Sequence, residues 1–362
     1  MTSDEEGFAY PNIDASKCTN CGLCEKFCPV INQSEAREPL GSFAAINPNE
    51  DIRLKSSSGG IFSLLAEKVV IDGGVVFGAK FNEKWEVVHD YTETIEDISQ
   101  FRGSKYVQSR IGDNYIKAKQ FLDAGRKVLF SGTPCQIAGL KLFLRKDYSN
   151  LLSVDIICHG VPSPIIWKRH INKIKYNNCQ ITNIYFRDKS NGWETFNFHV
   201  TGNTQFGNNI SIKNVMHSQD AYMKAFLYNL SLRPSCYKCA FRNGKGNSDI
   251  TIADLWNWNR NQDLQHFQDN KGTSLVLSYT SKGNEYIENC LCLKQPININ
   301  DAIENNISLV SDFQAPKYRS LFFRLEPKLG CEISLFKVQQ AYNPSLFRII
   351  AHKIKKLIQK QK

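Results

Sequence analysis

Residues 127–144, KVLFSGTPCQIAGLKLFL, set the architecture of this chain. A short apolar run from Lys127 to Phe130 reads as a buried strand, a Gly-Thr-Pro turn follows, and a helical pattern runs from Cys135 to Leu144. The next segment, LLSVDIICHGVPSP at 151–164, predicts a second buried strand from Leu152 to Ile157, ending at Cys158 and a turn rich in Gly and Pro. Short apolar strands alternating with helices of this length indicate an α/β fold with a mixed, largely parallel sheet. Working outward, SFAAIN (42–47) and VVFGAKF (75–81) read as strands. A helix is expected from Gly60 to about Val70, closed by Gly73-Gly74, and another from Asn114 to Ala124, closed by Gly125. Residues 181–212 read as β-rich, with FNFHV (196–200) alternating.

In parallel α/β sheets, ligands gather at the carboxyl ends of the strands. Cys135 and Cys158 both follow such ends, and Cys236 and Cys239 form a C-x2-C in RPSCYKC. Two sheet edges and one loop could converge on a tetrathiolate site, suited to a cubane cluster or to zinc. Taken singly, each of Cys135 and Cys158 is more often a small buried hydrophobe than a ligand. Cys179, Cys290, Cys292 and Cys331 lie in ordinary contexts and read as structural or exposed thiols. His159, beside Cys158, reads as a turn histidine or as a donor to a cluster sulfur.

The N-terminal region carries a sharper signal. KCTNCGLCEKFCPV (17–30) places Cys18, Cys21, Cys24 and Cys28 in C-x2-C-x2-C-x3-C-P spacing, the run that holds cubane iron–sulfur clusters in bacterial ferredoxins. Gly22 supplies the backbone freedom that so tight a wrap needs. In two-cluster ferredoxins the fourth cysteine of a run ligates the other cluster. The single run therefore raises the expectation of an upstream half-ferredoxin, with MTSDEEGFAYPNID as the linker between halves. The alternative is one cluster closed by Cys28 or by a distant cysteine.

The chain has 362 residues, 12 cysteines, a hydrophobic fraction of 42% and a net charge of +10. An acidic N-terminus without an apolar signal region, and no apolar run near the roughly 20 residues of a membrane span, point to a cytoplasmic address. Cysteines in that compartment read as ligands or thiols rather than disulfides. Arg348, Lys353, Lys355, Lys356, Lys360 and Lys362 crowd the last 18 residues, which contain no acid, leaving the body at +4. That is too little to argue for nucleic acid. Leu346, Ile350, Ile354, Leu357 and Ile358 fall at helical spacing among those lysines. Such a basic amphipathic helix suits the inner face of an anionic membrane or a partner protein, or it packs on its own domain.

Clusters move single electrons whereas most metabolic substrates need two, and a flavin bridges the mismatch. In SSSGGIF, Ser57, Ser58, Gly59 and Gly60 stand at a helix start, where backbone N–H groups and the helix dipole favour anions; an ordinary helix cap has the same composition. FRGSKYVQS offers Arg102, Gly103, Ser104 and Lys105 as a second basic turn. Neither matches a Rossmann or Walker pattern.

Together KCTNCGLCEKFCPV, SSSGGIFSLLA, FRGSKYVQS, LFSGTPCQIAGL, DIICHGVPSP, FRDKSNGW, LRPSCYKCAFR and SDITIADLW, in this order, resemble the family of coenzyme F-420 hydrogenase/dehydrogenase beta subunits, particularly its bacterial members associated with polysaccharide biosynthesis. The resemblance implies an α/β flavoprotein carrying FAD beside a 4Fe-4S cluster, with a ferredoxin-like extension in front. It makes Cys135, Cys158, Cys236 and Cys239 the ligands of the body cluster. It places Ser57, Ser58, Gly59, Gly60, Arg102, Ser104, Lys105 and Thr133 near the flavin. Two departures stand out: the upstream cysteine run is lacking, and Asn257 stands where the family pattern expects Gly.

The resulting expectation is an iron–sulfur oxidoreductase that exchanges hydride with a deazaflavin-like or other organic substrate and single electrons with a redox partner. Four regions follow: a ferredoxin-like segment at 1–38, a flavin-associated subdomain at 39–125, a catalytic subdomain with the body cluster at 126–335, and a basic tail at 336–362. The competing expectation is a non-catalytic, metal-stabilised partner in glycan assembly. A zinc-stabilised nucleic-acid binder fits the nearly neutral body poorly.

Overall fold

The computed structural model describes residues 1–174, 179–256, 264, 267–304 and 306–343. The strands among them are β1 (Thr2–Ser3), β2 (Ala9–Tyr10), β3 (Gly41–Ile46), β4 (Val75–Phe81), β5 (Val87–Thr92), β6 (Val128–Gly132), β7 (Leu151–Ile156), β8 (Gln180–Asp188), β9 (Asn197–Asn203), β10 (Asn209–Met216), β11 (Ile250–Asp254), β12 (Ser274–Ser278) and β13 (Leu293–Pro296). The helices are α1 (Leu23–Lys26), α2 (Glu50–Leu54), α3 (Ile61–Ile71), α4 (Asn114–Asp123), α5 (Pro134–Leu144), α6 (Pro164–Ile174), α7 (Ala221–Leu227), α8 (Ser281–Glu288), α9 (Ile299–Glu304) and α10 (Arg319–Tyr342).

Eight strands form one sheet in the order β13-β3-β12-β11-β7-β6-β4-β5. The central pairs β11–β7, β7–β6 and β6–β4 are parallel, and both flanks are antiparallel. The α/β class with a mixed sheet is as expected, with parallel pairing confined to the four central strands. These strands are apolar on both faces because both faces are covered. Leu129, Leu152 and Val154 pack with Ile61, Leu65 and Val69 of α3. Val128, Phe130 and Leu151 pack on the other side with Ala118 and Leu122 of α4 and Ile137 and Leu140 of α5. Each such burial stabilises by about 1.5–3 kcal/mol.

Strands from either side of residue 125 share this sheet, so the expected 39–125 and 126–335 regions are interleaved in space. A second layer, β10-β9-β8 with α6, α7 and α10, has its own core around Trp167, Phe186, Phe198, Tyr222 and Phe322. The boundary expected at 335–336 falls inside α10, and the amphipathic tail from residue 344 onward, like Asn257, lies outside the described residues. Among the described residues no helix is long and apolar enough to cross a membrane.

Candidate functional site

The parallel register aligns the carboxyl ends of β6, β7 and β11, because Gly132, Asp155 and Thr251 stand side by side. Cys135 follows β6 in the first turn of α5, where helix N–H groups point at its sulfur. Its thiol is pushed up by burial, held down by hydrogen bonds from Thr133 and from its own and Gln136 N–H groups, and raised again by Cys239. The Thr133 hydroxyl lies 3.1 Å from the Cys135 sulfur. Cys135 retains accessible surface although burial dominates its proton affinity.

Cys158 follows β7, and its thiol is pushed well up by burial and then by Cys236, Cys135 and Cys239. Burial raises Cys236 to about 11, with further contributions from Cys135 and Cys239. The four thiols thus share one neighbourhood. The backbone explains how: Ser163 N–H donates to the Ser231 carbonyl and Arg233 N–H to the Val161 carbonyl, both at 2.9 Å. These bonds pair the Cys158 turn with the C-x2-C loop. Gly160 (φ +145) permits the approach, since a Cβ there would stand 2.9 Å from Leu232 Cδ1 and 3.3 Å from Cys236 Cβ. The Val161 N–H works against burial on the Cys236 thiol, and the Gly160 N–H does the same for Cys158. Among the described residues no three Cys, His, Asp or Glu side chains already stand in ion-binding geometry. The set is a neighbourhood of soft donors with N–H groups aimed at sulfur, a chemistry that fits an iron–sulfur group. His159 is packed between Phe226 and Phe313, and its Nε2 has no hydrogen-bond partner.

Further along the same edge, the two glycine turns meet. Ser104 N–H donates to the Ser57 hydroxyl at 2.6 Å. Ser58 Oγ donates to the Thr273 carbonyl at 2.7 Å, and Gly59 N–H to Ser274 Oγ at 3.0 Å, seating the SSSGG turn on β12. Gly59 is required there, because a Cβ would lie 2.7 Å from Ser274 N. Gly60 caps α3 with φ +84. Arg102 Nε donates to Ser63 Oγ of α3 at 3.0 Å. Lys105 Nζ donates to the carbonyls of Phe101, Arg102 and Gly103, and burial lowers it to about 7.

Three groups here escaped sequence reading. Lys189 Nζ donates to the carbonyls of Arg53 (2.9 Å), Ser58 (2.8 Å) and Lys271 (2.6 Å), and burial lowers it also to about 7. Arg187 of β8 pairs with Asp254 of β11 at 2.8 Å, tying the small sheet to the large one, and Trp193 Nε1 donates to the same carboxylate at 2.9 Å. His89 is buried between Ser109 Oγ (2.6 Å) and the Ser131 carbonyl (2.9 Å). FRDKSNGW held the first two, but a lysine in a polar turn reads as solvated until its carbonyl partners are known.

The N-terminal cysteines form a separate set. Cys18, Cys21 and Cys24 are exposed and Cys28 is half-buried. Gly22 adopts φ +68. The segment is anchored at both ends. Upstream, Phe8 is fully buried, Glu6 pairs with Arg319, and Arg233 donates to the Ala9 carbonyl at 3.1 Å. Downstream, Arg37 donates to the carbonyls of Gly244 (3.1 Å) and Ser248 (2.9 Å). Arg233 and Gly244 flank the Cys236–Cys239 loop in sequence. Phe27 also lies under the Arg145 guanidinium, 4.2 Å away, at the far end of α5, whose first turn carries Cys135.

This fold and these cysteines define an α/β iron–sulfur protein: residues 11–30 match the family model described as the 4Fe-4S binding domain. Over residues 125–298 the chain matches the model that describes the carboxyl-terminal part of the beta subunit of coenzyme F420 hydrogenase/dehydrogenase. It is similar to a subunit of the F(420)H(2) dehydrogenase of Methanosarcina mazei, 23% identical over 145 residues, which is 39% of this chain and 41% of that protein. It is also similar to an uncharacterized protein of Methanocaldococcus jannaschii, 26% identical over 137 residues, 35% of this chain and 37% of that protein. The chain thus spans about two fifths of the length of the curated relatives it matches. Among solved structures it is similar to a chain of the F420-reducing NiFe hydrogenase complex from Methanosarcina barkeri, with a TM-score of 0.48, 16% identity, and coverage of 78% of this chain and 97% of that one.

Proposed function

We propose that this protein is an iron–sulfur flavoprotein oxidoreductase in which FAD and the body cluster occupy the carboxyl edge of the large sheet. Cys135, Cys158, Cys236 and Cys239 hold the body cluster, and Cys18, Cys21, Cys24 and Cys28 bind iron in the ferredoxin-like segment. When bound, FAD supplies hydride exchange with an organic substrate and single-electron exchange with the clusters. The SSSGG turn, with Ser57, Ser58, Gly59 and Gly60, offers its hydroxyls and the α3 N-terminus to the cofactor's phosphates. Arg102, Ser104 and Lys105 close that turn from its other side, and Thr133 stands beside the Cys135 thiol. Lys189 holds the Ser58 carbonyl away from the anion. Arg187 and Asp254 keep the small sheet over the edge and so limit water there. A redox protein or a small deazaflavin-like molecule completes the reaction; the relative that is one subunit of a dehydrogenase supports a protein partner.

The observation that carries this reading is the pairing of the Cys158 turn with the Cys236–Cys239 loop, through Ser163 N–H to the Ser231 carbonyl and Arg233 N–H to the Val161 carbonyl, at the strand end next to the one that Cys135 follows. Anaerobic purification with iron, sulfide and flavin quantification tests it. A yellow-brown protein with flavin and both iron sets is expected. A colourless, zinc-containing preparation would refute it.

A further inference from the structure

Asp155 is a buried acid that the reading above leaves idle. It is 2% exposed, near the end of β7 and three residues before Cys158. Its carboxylate accepts a hydrogen bond from the Thr251 hydroxyl of the neighbouring strand. On its other side Gly246 brings the 243–248 loop in close: a Cβ there would stand 2.5 Å from Asp155 Oδ2 and 2.9 Å from Pro134 Cα. Pro134 immediately precedes Cys135. The carboxyl therefore lies near two of the three thiol-bearing segments, three residues before Cys158 and packed through Gly246 against the residue that precedes Cys135.

The groups facing it do not neutralise it. Beyond Thr251, they are Ser248 of the 243–248 loop, Arg37 of the ferredoxin-segment linker and Tyr279 after β12. Arg37 acts through space only, since its guanidinium N–H groups go to the Gly244 and Ser248 carbonyls and its plane lies over the Tyr279 ring at 5.0 Å. Lys141 of α5 and Asp249 act on Arg37's side of this group. Burial outweighs the hydroxyl and Arg37 contributions and raises the acid to about 7, so it changes protonation at neutral pH.

Adding an electron to an iron–sulfur group on the nearby thiols adds one negative charge to a poorly solvated region. That charge raises the proton affinity of a neighbouring carboxylate, and by linkage the bound proton raises the electron affinity of the site equally. We propose that Asp155 is the proton-carrying group of electron transfer at the Cys135/Cys158/Cys236/Cys239 set. It takes one proton from water when one electron enters and returns that proton when the electron leaves. The inference rests on the iron–sulfur reading of those four cysteines.

Potentiometric titration of the body iron–sulfur group, in wild type and Asp155→Asn, tests it. The asparagine keeps an oxygen for Thr251 and the same shape. In wild type the midpoint potential should fall as pH rises through neutrality; in Asp155→Asn it should stay level over the same range. Thr251→Val, which removes the hydroxyl stabilising the anion, should move the pH-dependent range upward. Redox-difference infrared spectra should show a protonated-carboxyl band on reduction that Asp155→Asn lacks. Equal pH slopes in a loaded wild type and Asp155→Asn would overturn Asp155 alone. A protein that binds no iron at these cysteines would overturn the parent reading and this one with it.

Discussion

Ser104 N–H donates to Ser57 Oγ at 2.6 Å, joining two turns 47 residues apart at the carboxyl edge of the sheet. The bond turns two separate polar loops into one wall. Ser57→Ala removes the acceptor, and a partly buried hydrogen bond of this kind contributes about 0.5–1.5 kcal/mol. Flavin retained after anaerobic gel filtration should fall by about 2- to 10-fold, while iron content stays unchanged.

Gly59→Ala is more severe. A Cβ there would press on Ser274 N at 2.7 Å and on the Ala45 carbonyl, both backbone groups of sheet strands. Backbone cannot give way as a side chain can, so a cost of about 1–3 kcal/mol is expected. Thermal unfolding should show a lowered Tm together with loss of flavin. An unchanged Tm would mean the turn is not seated on β12 and β3.

Cys236→Ser separates the two iron sets. It should lower iron by about four per chain and leave the signal of the Cys18/Cys21/Cys24/Cys28 segment in low-temperature EPR of the reduced protein. Loss of both signals together would show that the two sets share one cluster.

His89 makes acid stability measurable. Burial lowers its pKa from 6.5 to about 4. The unfolded chain therefore binds a proton between these values that the native state refuses, so stability is full above about 6.5 and falls as pH drops toward 4. The loss is on the order of 3 kcal/mol at one pH unit per about 1.4 kcal/mol. Denaturant unfolding of wild type across that range should show this decline, and His89→Gln should flatten it.

Arg37→Ala and Arg233→Ala each release one anchor of the ferredoxin-like segment, removing carbonyl bonds to Gly244 and Ser248 or to Ala9. Limited proteolysis should cut residues 11–36 faster in both variants while the sheet remains intact. Unchanged cleavage would show that Phe8 and Phe27 hold the segment without them.

Much of the fold was legible from residue pattern. The strand expected at 127–130 is β6 and the helix expected at 135–144 is α5, because apolar runs bounded by Gly and Pro leave little choice of period. The antiparallel flanks were not legible: β12 lies between β3 and β11, and that pairing depends on long-range register rather than on composition. At the site, Ser57, Ser104 and the cysteines stood out by type and turn context. Lys189, Asp254, His89 and Asp155 did not, since their meaning comes from partners more than 40 residues away or from burial.

By itself, the order of residues determined that Cys18 to Cys28 can wrap iron–sulfur chemistry, because four cysteines within eleven residues need only local backbone turns to meet a common ion group. It also determined the alternating strands and helices, whose periods are local properties. Only the tertiary structure decided that the turn bearing Cys158 would pair with the loop bearing Cys236 and Cys239 beside the strand end that Cys135 follows, and that Asp155 would be buried near the end of β7. Electrostatic influence and desolvation act through space, and chain separation carries no information about either.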